Sequence, residues 1–190
     1  MEQRQEKTSD EELAALVQGN NENAFGVLME RYQERLLRYG RRFLFDNDHI
    51  EDIVQDVFIK TYQNIRGFDA TRKFSPWIYR IAHNAFVNAL RKKHREPLIF
   101  IDFDALVTHP AYEYNPEKEE DKKMIGIMID SGLENVLAIY KEAIILFYIE
   151  ELSYQEIAEV LHIPIGTVGI RLRRGREALK KIIENQNLSQ

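Results

Sequence analysis

With 190 residues, the chain has room for one ordinary domain or two small ones, and its 44% hydrophobic content supports real cores. It contains no cysteine, which excludes disulfides and thiolate chemistry and suits a reducing compartment. The formal net charge of -5 does not by itself point to nucleic acid, but acids and bases lie in separate blocks, and blocks set local fields. The polar start from Met1 to Glu12 does not read as a leader, and the longest apolar run, around Ala143 to Ile149, is far short of a bilayer span. A cytoplasmic protein without membrane insertion is expected.

Ser9 followed by Glu12 forms a capping box for a short helix through Leu13, Leu16 and Val17, which Gly19 closes. Asn21 caps the next helix, whose Phe25, Leu28, Met29, Tyr32 and Leu36 make one apolar stripe. Arg31, Arg35, Arg38, Arg41 and Arg42 lie on its other face, some of them in place to answer the acids that follow. Asp48 is the expected cap of a third helix with Ile50, Ile53, Val54, Val57, Phe58, Thr61 and Tyr62 inward. Asp52, Gln55, Asp56 and Ile59 then turn outward, either as a solvated face or as a docking face for a basic partner.

Residues 64–74 read as a loop turning at Gly67. Ser75 and Pro76 restart a helix running to about Arg95, with Ile78, Ile81, Ala82, Ala85 and Ala89 inward, joined by Trp77 and Phe86. Asn84, Asn88, Arg91 and Arg95 recur on the opposite side. From Arg72 to Arg95 there are seven Arg or Lys and no acid, and an unpaired run of that kind calls for a polyanion. Phe68, Phe74 and Trp77 beside it either stack on unpaired bases or close the core.

Residues 96–121 change character: Pro97, Pro110 and Pro116 break regular structure, and eight acids face one Lys. They are expected to form an acidic flexible linker. The second domain, over 122–186, opens with apolar residues from Met124 to Met128, then Leu133, Val136, Leu137, Tyr140, Ala143, Ile144, Phe147 and Tyr148. Ser153 with Glu156 caps a short helix carrying Ile157, Ala158 and Leu161, and Pro164 suits the first turn of the next. In that second helix Val168, Leu172 and Leu179 repeat at helical spacing, leaving Thr167, Arg171, Arg174 and Ala178 on the other side. Between Ile163 and Lys181 there are six Arg and Lys and a single Glu, so a helix-turn-helix offering positive charge to a duplex is the economical reading. An ordinary helical hairpin with a solvated basic face is the bland one.

The fold class is therefore all-α: two small helical domains, over 9–95 and 122–186, joined by the acidic linker. No catalytic constellation emerges. His49, His83, His94, His109 and His162 are scattered, and no Walker or dinucleotide glycine pattern occurs, so neither enzyme activity nor a cofactor or metal is expected.

In order and spacing, four segments resemble the sigma-70 superfamily of bacterial RNA polymerase sigma factors, in its extracytoplasmic-function group. They are Ala24-Phe25 through Tyr32; Glu51-Asp-Ile-Val-Gln-Asp-Val-Phe58; Phe74-Ser-Pro-Trp-Ile-Tyr-Arg-Ile-Ala-His-Asn84 continuing through Leu90-Arg91-Lys92; and Leu152 to Ala158 followed by Ile163 to Val168 and Arg171-Leu172. The resemblance implies that Asp52, Gln55, Asp56 and Ile59 dock on the β′ clamp helices of core RNA polymerase. It implies capture of an unpaired promoter −10 strand by Phe68, Lys73, Arg80, Asn84, Asn88, Arg91 and Arg95. It further implies reading of the −35 element by Thr167, Arg171 and Arg174, packing of the second domain on the β flap, and control by an anti-sigma factor. A stand-alone helix-turn-helix regulator that recruits no polymerase is the alternative, and the Asp52 and Asp56 face argues against it.

The chain departs from the family at several positions. Gly169-Ile170 stands where Lys-Ser is usual, which removes a basic contact and weakens the helix by roughly 1 kcal/mol relative to Ala. Glu151 and His162 occupy customary glycine positions, so different turn geometries are expected there. Asn88 replaces a common Asp, which should strengthen attraction for the nucleic-acid backbone.

Overall fold

The computed structural model describes residues 8–41, 43–44, 46–93, 133 and 136–187. Its chain contacts divide between residues 98 and 99 into two compact units, and among the described residues every regular element is helical. In the first unit are α1 (Asp10–Gln18), α2 (Glu22–Gly40), α3 (Asn47–Asn64), a 3₁₀ turn (Ile65–Gly67) and α4 (Phe74–Lys93). In the second are α5 (Ala138–Ile144), continuing into a π-helical segment (Ile145–Ile149), then α6 (Tyr154–Leu161) and α7 (Ile165–Asn187). The expected acidic linker, the Met124–Met128 segment and Arg95 lie outside the described residues.

Helix starts follow the local chemistry. Ser9 Oγ accepts the Glu12 N–H at 3.1 Å while Glu12 Oε2 accepts the Ser9 N–H at 2.9 Å, and Ser153 and Glu156 repeat the arrangement ahead of α6. Each pair satisfies two amides that the helix itself leaves without partners. Asn21 caps α2 as expected. The cap of α3 is Asp46 rather than Asp48, with Asp46 Oδ1 accepting the His49 N–H at 3.4 Å. Asp48 instead sits in the first turn, where its charge still suits the helix dipole.

The first core is shared by α1 to α4, and within it aromatic rings of α2 and α4 meet. Tyr39 meets Tyr79 at 5.3 Å and Phe86 at 5.9 Å between ring centroids, and Tyr32 meets Phe74 at 5.4 Å. Gly40 permits this approach, because a Cβ there would come within 2.5 Å of the Phe86 ring. Tyr79 belongs fully to this core, although its position in the sequence gave no such expectation. Tyr62 differs in the other direction: it is exposed, resting its ring on Phe25 at 5.0 Å. Three of the arginines expected to answer the acids of α3 have partners on α1 and α2. Arg31 reaches back to Asp10 at 2.6 Å, Arg35 lies over the Tyr32 ring at 4.7 Å, and Arg41 pairs along α2 with Glu34 at 3.3 Å. Tyr32 donates its hydroxyl to Asp10 at 2.6 Å; burial, reinforced by this bond, raises its pKa above the ordinary phenol value.

In the second unit α7 packs along α5 and α6 through Val168, Leu172 and Leu179, against Ala143, Ile144, Ile157 and Val160 among others. The π segment redirects the chain after α5: Glu150 N–H bonds to Ile145 at 3.0 Å, and the wider turn buries Ile145 and Leu146 while leaving Phe147 and Tyr148 half-buried. The turns on either side of α6 keep left-handed geometry without glycine, contrary to the sequence expectation. Glu151 has φ 54° and His162 φ 55°, the latter as the C-cap of α6. A Cβ in this region costs roughly 1–2 kcal/mol, partly offset by the greater unfolded-state entropy of glycine. His162→Gly is therefore expected to raise the unfolding free energy by about 0.5–1 kcal/mol, read from denaturant midpoints at constant m.

Candidate functional site

On α3, Asp52, Gln55, Asp56 and Ile59 are all exposed, with Ile59 at 54%. At 100° per residue Asp52, Asp56 and Ile59 share one line along the helix, and Gln55 turns toward α2. Gln55 and Ile59 line a groove of about 910 Å³ between the two helices, together with Phe25, Met29, Phe58 and Tyr62. The sequence placed Met29 in a core stripe; the structure leaves it 36% exposed at this groove. The apolar floor comes from both helices and the acids stand on the adjoining solvent face of α3. A basic, amphipathic helical partner fits that combination.

The second surface is carried by the loop before α4 and by α4 itself. Arg80 is half-buried and Asn84 and Asn88 are exposed, at a spacing that keeps them on one side. The buried residues Phe74, Ile78, Tyr79, Ala82 and Phe86 occupy the other side, so packing fixes which way the polar stripe points. Arg91 falls within α4, further along the same register. Lys73 is exposed at the end of the loop. Phe68 requires a correction: it is 7% exposed, its ring lying 5.0 Å from Trp77 and 5.5 Å from Phe74. The three aromatics close the core under the loop, so Phe68 is not presented to an unpaired base. Within the loop Asp69 Oδ1 accepts from the Thr71 amide at 3.0 Å and hydroxyl at 2.7 Å, and these bonds hold its carboxyl below the usual carboxylate range.

The third surface belongs to α6 and α7, joined by residues 162–164. Thr167 and Arg171 are each only 6% exposed, and Arg174 is half-buried with its Nη1 donating to the Tyr140 hydroxyl at 3.2 Å. The expectation that Thr167 and Arg171 face outward is thereby corrected. In the helical register they lie about 60–100° from the Val168–Leu172–Leu179 line, on its flank rather than opposite it. The side opposite the core over the first turns carries Gly166, Ile170 and Arg173, with Gly169 beside them. A Cβ on Gly166 would meet nothing within 4 Å, and one on Gly169 would meet only Tyr154 Cε2 at 3.6 Å. Arg173 pairs with Glu177 at 3.8 Å. Among the described residues no group of three or more His, Asp or Glu is arranged to hold a metal, and no helix is long and apolar enough to cross a membrane.

These surfaces coincide with two recognised units. Residues 28–96 match the family described as Sigma-70 region 2, and residues 128–179 match Sigma-70, region 4. The chain is 36% identical over 173 residues to the ECF RNA polymerase sigma factor SigW of Bacillus subtilis (strain 168), covering 87% of this chain and 91% of SigW. The chain belongs to the extracytoplasmic-function sigma factors of the sigma-70 family. As a sigma factor it directs RNA polymerase to promoters and is not itself an enzyme. Its fold is similar to that of CnrH in complex with the cytosolic domain of CnrY, with a TM-score of 0.65 and 24% identity over 94% of this chain and 99% of that one. It is also similar to RpoE from Bartonella quintana in complex with the anti-sigma factor NepR, with a TM-score of 0.61 and 26% identity over 84% and 96% of the two chains.

Sequence reasoning missed the contribution of α2 to the groove and the part α1 plays beneath the loop. The first was hidden because a half-exposed Met29 has the same spacing as a core residue. For the second the sequence offers only polar side chains on a short helix. The Phe68 correction has a measurable consequence: Phe68→Ala should lower stability by about 3 kcal/mol, seen as a reduced denaturant midpoint of the isolated sigma factor. A base-stacking residue at the surface would instead leave that midpoint nearly unchanged.

Proposed function

We propose that this sigma factor docks on core polymerase through the exposed Asp52, Gln55, Asp56 and Ile59 face, and captures the −10 element as an opened single strand. Lys73, Arg80, Asn84, Asn88 and Arg91 carry that capture, with Arg95 extending it beyond the described residues. The observation that supports the division is the opposition of faces: two acids stand outward on α3, while α4 turns a polar stripe outward from a stretch without any acid. Binding energy realised only on the extruded strand shifts the promoter duplex toward its open form.

In the second unit α6 and α7 act as a helix-turn-helix on the −35 element. The outward side of α7, with Gly166, Gly169, Ile170 and Arg173, enters the groove. Arg174 flanks it, and Thr167 and Arg171 support the helix start from beneath, where amide groups suit a phosphate. The acidic segment 96–121 serves as a tether that avoids the promoter, and the unit packs on the β flap. The RpoE–NepR complex supports control by an anti-sigma factor, whose proposed seat includes the apolar groove between α2 and α3.

Transcription in vitro with core polymerase on templates selected from a randomised promoter library tests the whole assignment. Asp52→Lys with Asp56→Lys is expected to abolish association with core polymerase while changing folding stability by no more than about 0.5 kcal/mol per site, since both side chains are exposed. Gly169→Lys is expected to fit without repacking and to steepen the salt dependence of promoter binding by about one unit of log–log slope, measured over a salt titration. An unchanged slope places position 169 away from the phosphates.

A further inference from the structure

The loop leading into α4 is tied at both ends to α1, a helix that precedes the region 2 match beginning at residue 28. The Gln18 side-chain amide donates to the Ile65 carbonyl at 2.8 Å and to the Phe68 carbonyl at 2.7 Å. Both of its N–H groups are used, on two carbonyls three residues apart in the chain. At the other end Glu11 Oε1 accepts the Phe74 N–H at 2.9 Å, the first amide of α4 and one that no intrahelical carbonyl can satisfy. Between them Arg66 Nη2 donates to Asn20 Oδ1 at 3.0 Å, just past the end of α1.

Glu11 and Gln18 are two turns apart on one side of α1, a separation of about 10.5 Å along the axis. A rigid helix thus sets the distance between the start and the end of the loop. Its crest, where Asp69 and Thr71 make their own bonds and Arg72 and Lys73 are exposed, is held between two fixed points. Neither anchor belongs to the aromatic core, where Phe68, Phe74 and Trp77 meet through their rings.

We propose that Glu11 and Gln18 are positioning residues for promoter opening, holding the 65–73 loop in the shape that receives the unpaired −10 strand. The proposal rests on the reading that this loop and α4 capture that strand. Preorganisation matters because a loop that must be ordered on binding loses affinity to the ordering itself, and loses most for the one base sequence that fits best.

The test uses the full-length sigma factor with core polymerase on a library-selected promoter. Opening is read from permanganate reactivity of unpaired thymines, discrimination from competition among single-base −10 variants, and core affinity by titration. Gln18→Leu and Gln18→Glu should each reduce −10 discrimination by about tenfold, the first by removing both donors and the second by setting acceptors against carbonyls. Gln18→Lys, which still donates, and Glu11→Gln, which still accepts, should recover most of it, whereas Glu11→Ala should not. Core affinity should stay within about twofold throughout, and a template already mismatched across −10 should still respond to Gln18→Leu in its base preference. Wild-type discrimination in Gln18→Leu and Glu11→Ala overturns the proposal, and so does parallel loss of core binding, which marks general unfolding. Absence of any −10 preference in the wild-type holoenzyme sinks the strand-capture reading itself, a result distinguishable because no variant is involved.

Discussion

Contact between aromatic rings of α2 and α4 is the constraint that fixes how α4 is turned in the first unit. Tyr39 lies at its centre, in edge contact with Phe43, Tyr79 and Phe86, and the missing side chain at Gly40 lets the Phe86 ring come close. Each such pair contributes about 0.5–1.5 kcal/mol beyond the area it buries, a substantial fraction for a unit of this size. Once Phe74, Ile78, Tyr79, Ala82 and Phe86 are buried, a 3.6-residue period leaves Asn84 and Asn88 no orientation except outward. The polar stripe is a consequence of the core, and its direction is as firmly set as the rings.

The same logic separates charge by surface while the chain as a whole stays slightly acidic. Asp10 accepts from Arg31 and from the Tyr32 hydroxyl, so it adds structure to the α1–α2 contact. Asp52 and Asp56 remain on the solvent side of α3. In the second unit the count of arginines overstates the positive surface: Arg174 and Arg176 donate to Tyr140 and Tyr148, and Arg171 is buried. What α7 turns outward over its first turns is apolar apart from Arg173, with Ile165 exposed beside Gly166, Gly169 and Ile170. In the proposed −35 reading, a surface of Gly166, Gly169 and Ile170 would depend more on close backbone approach and less on long cationic side chains.

Strain in the second unit sits at the two borders of α6. Glu151 and His162 hold left-handed backbone that glycine would adopt freely, and burial of Leu152, Ile157, Val160 and Leu161 between them compensates. The π segment before Glu151 belongs to the same adjustment, since an extra residue in the turn re-aims the chain from α5 toward α6. Close contact of α5 with α7 is completed at Gly175, where a Cβ would come within 2.5 Å of Ile144 Cδ1.

The sequence by itself determined the all-helical class, both capping boxes, the apolar stripes and the family, because caps and periodicity are local and the motif order is long enough to be specific. It also determined that Asp52, Gln55, Asp56 and Ile59 face solvent, as a helix with one buried stripe requires. Only the tertiary structure decided that Phe68 is core, that Thr167 and Arg171 lie under the side of α7 rather than on it, that Asp46 is the cap of α3, and that Met29 and Tyr62 line a groove. Helical spacing fixes angles around one axis and says nothing of how wide a stripe its neighbours cover, so residues 60–100° from the centre fall either way. The anchoring of the loop by Glu11 and Gln18 was hidden for a related reason: hydrogen bonds spanning 50 and 63 residues of chain leave no local pattern, and are created only when the chain has packed.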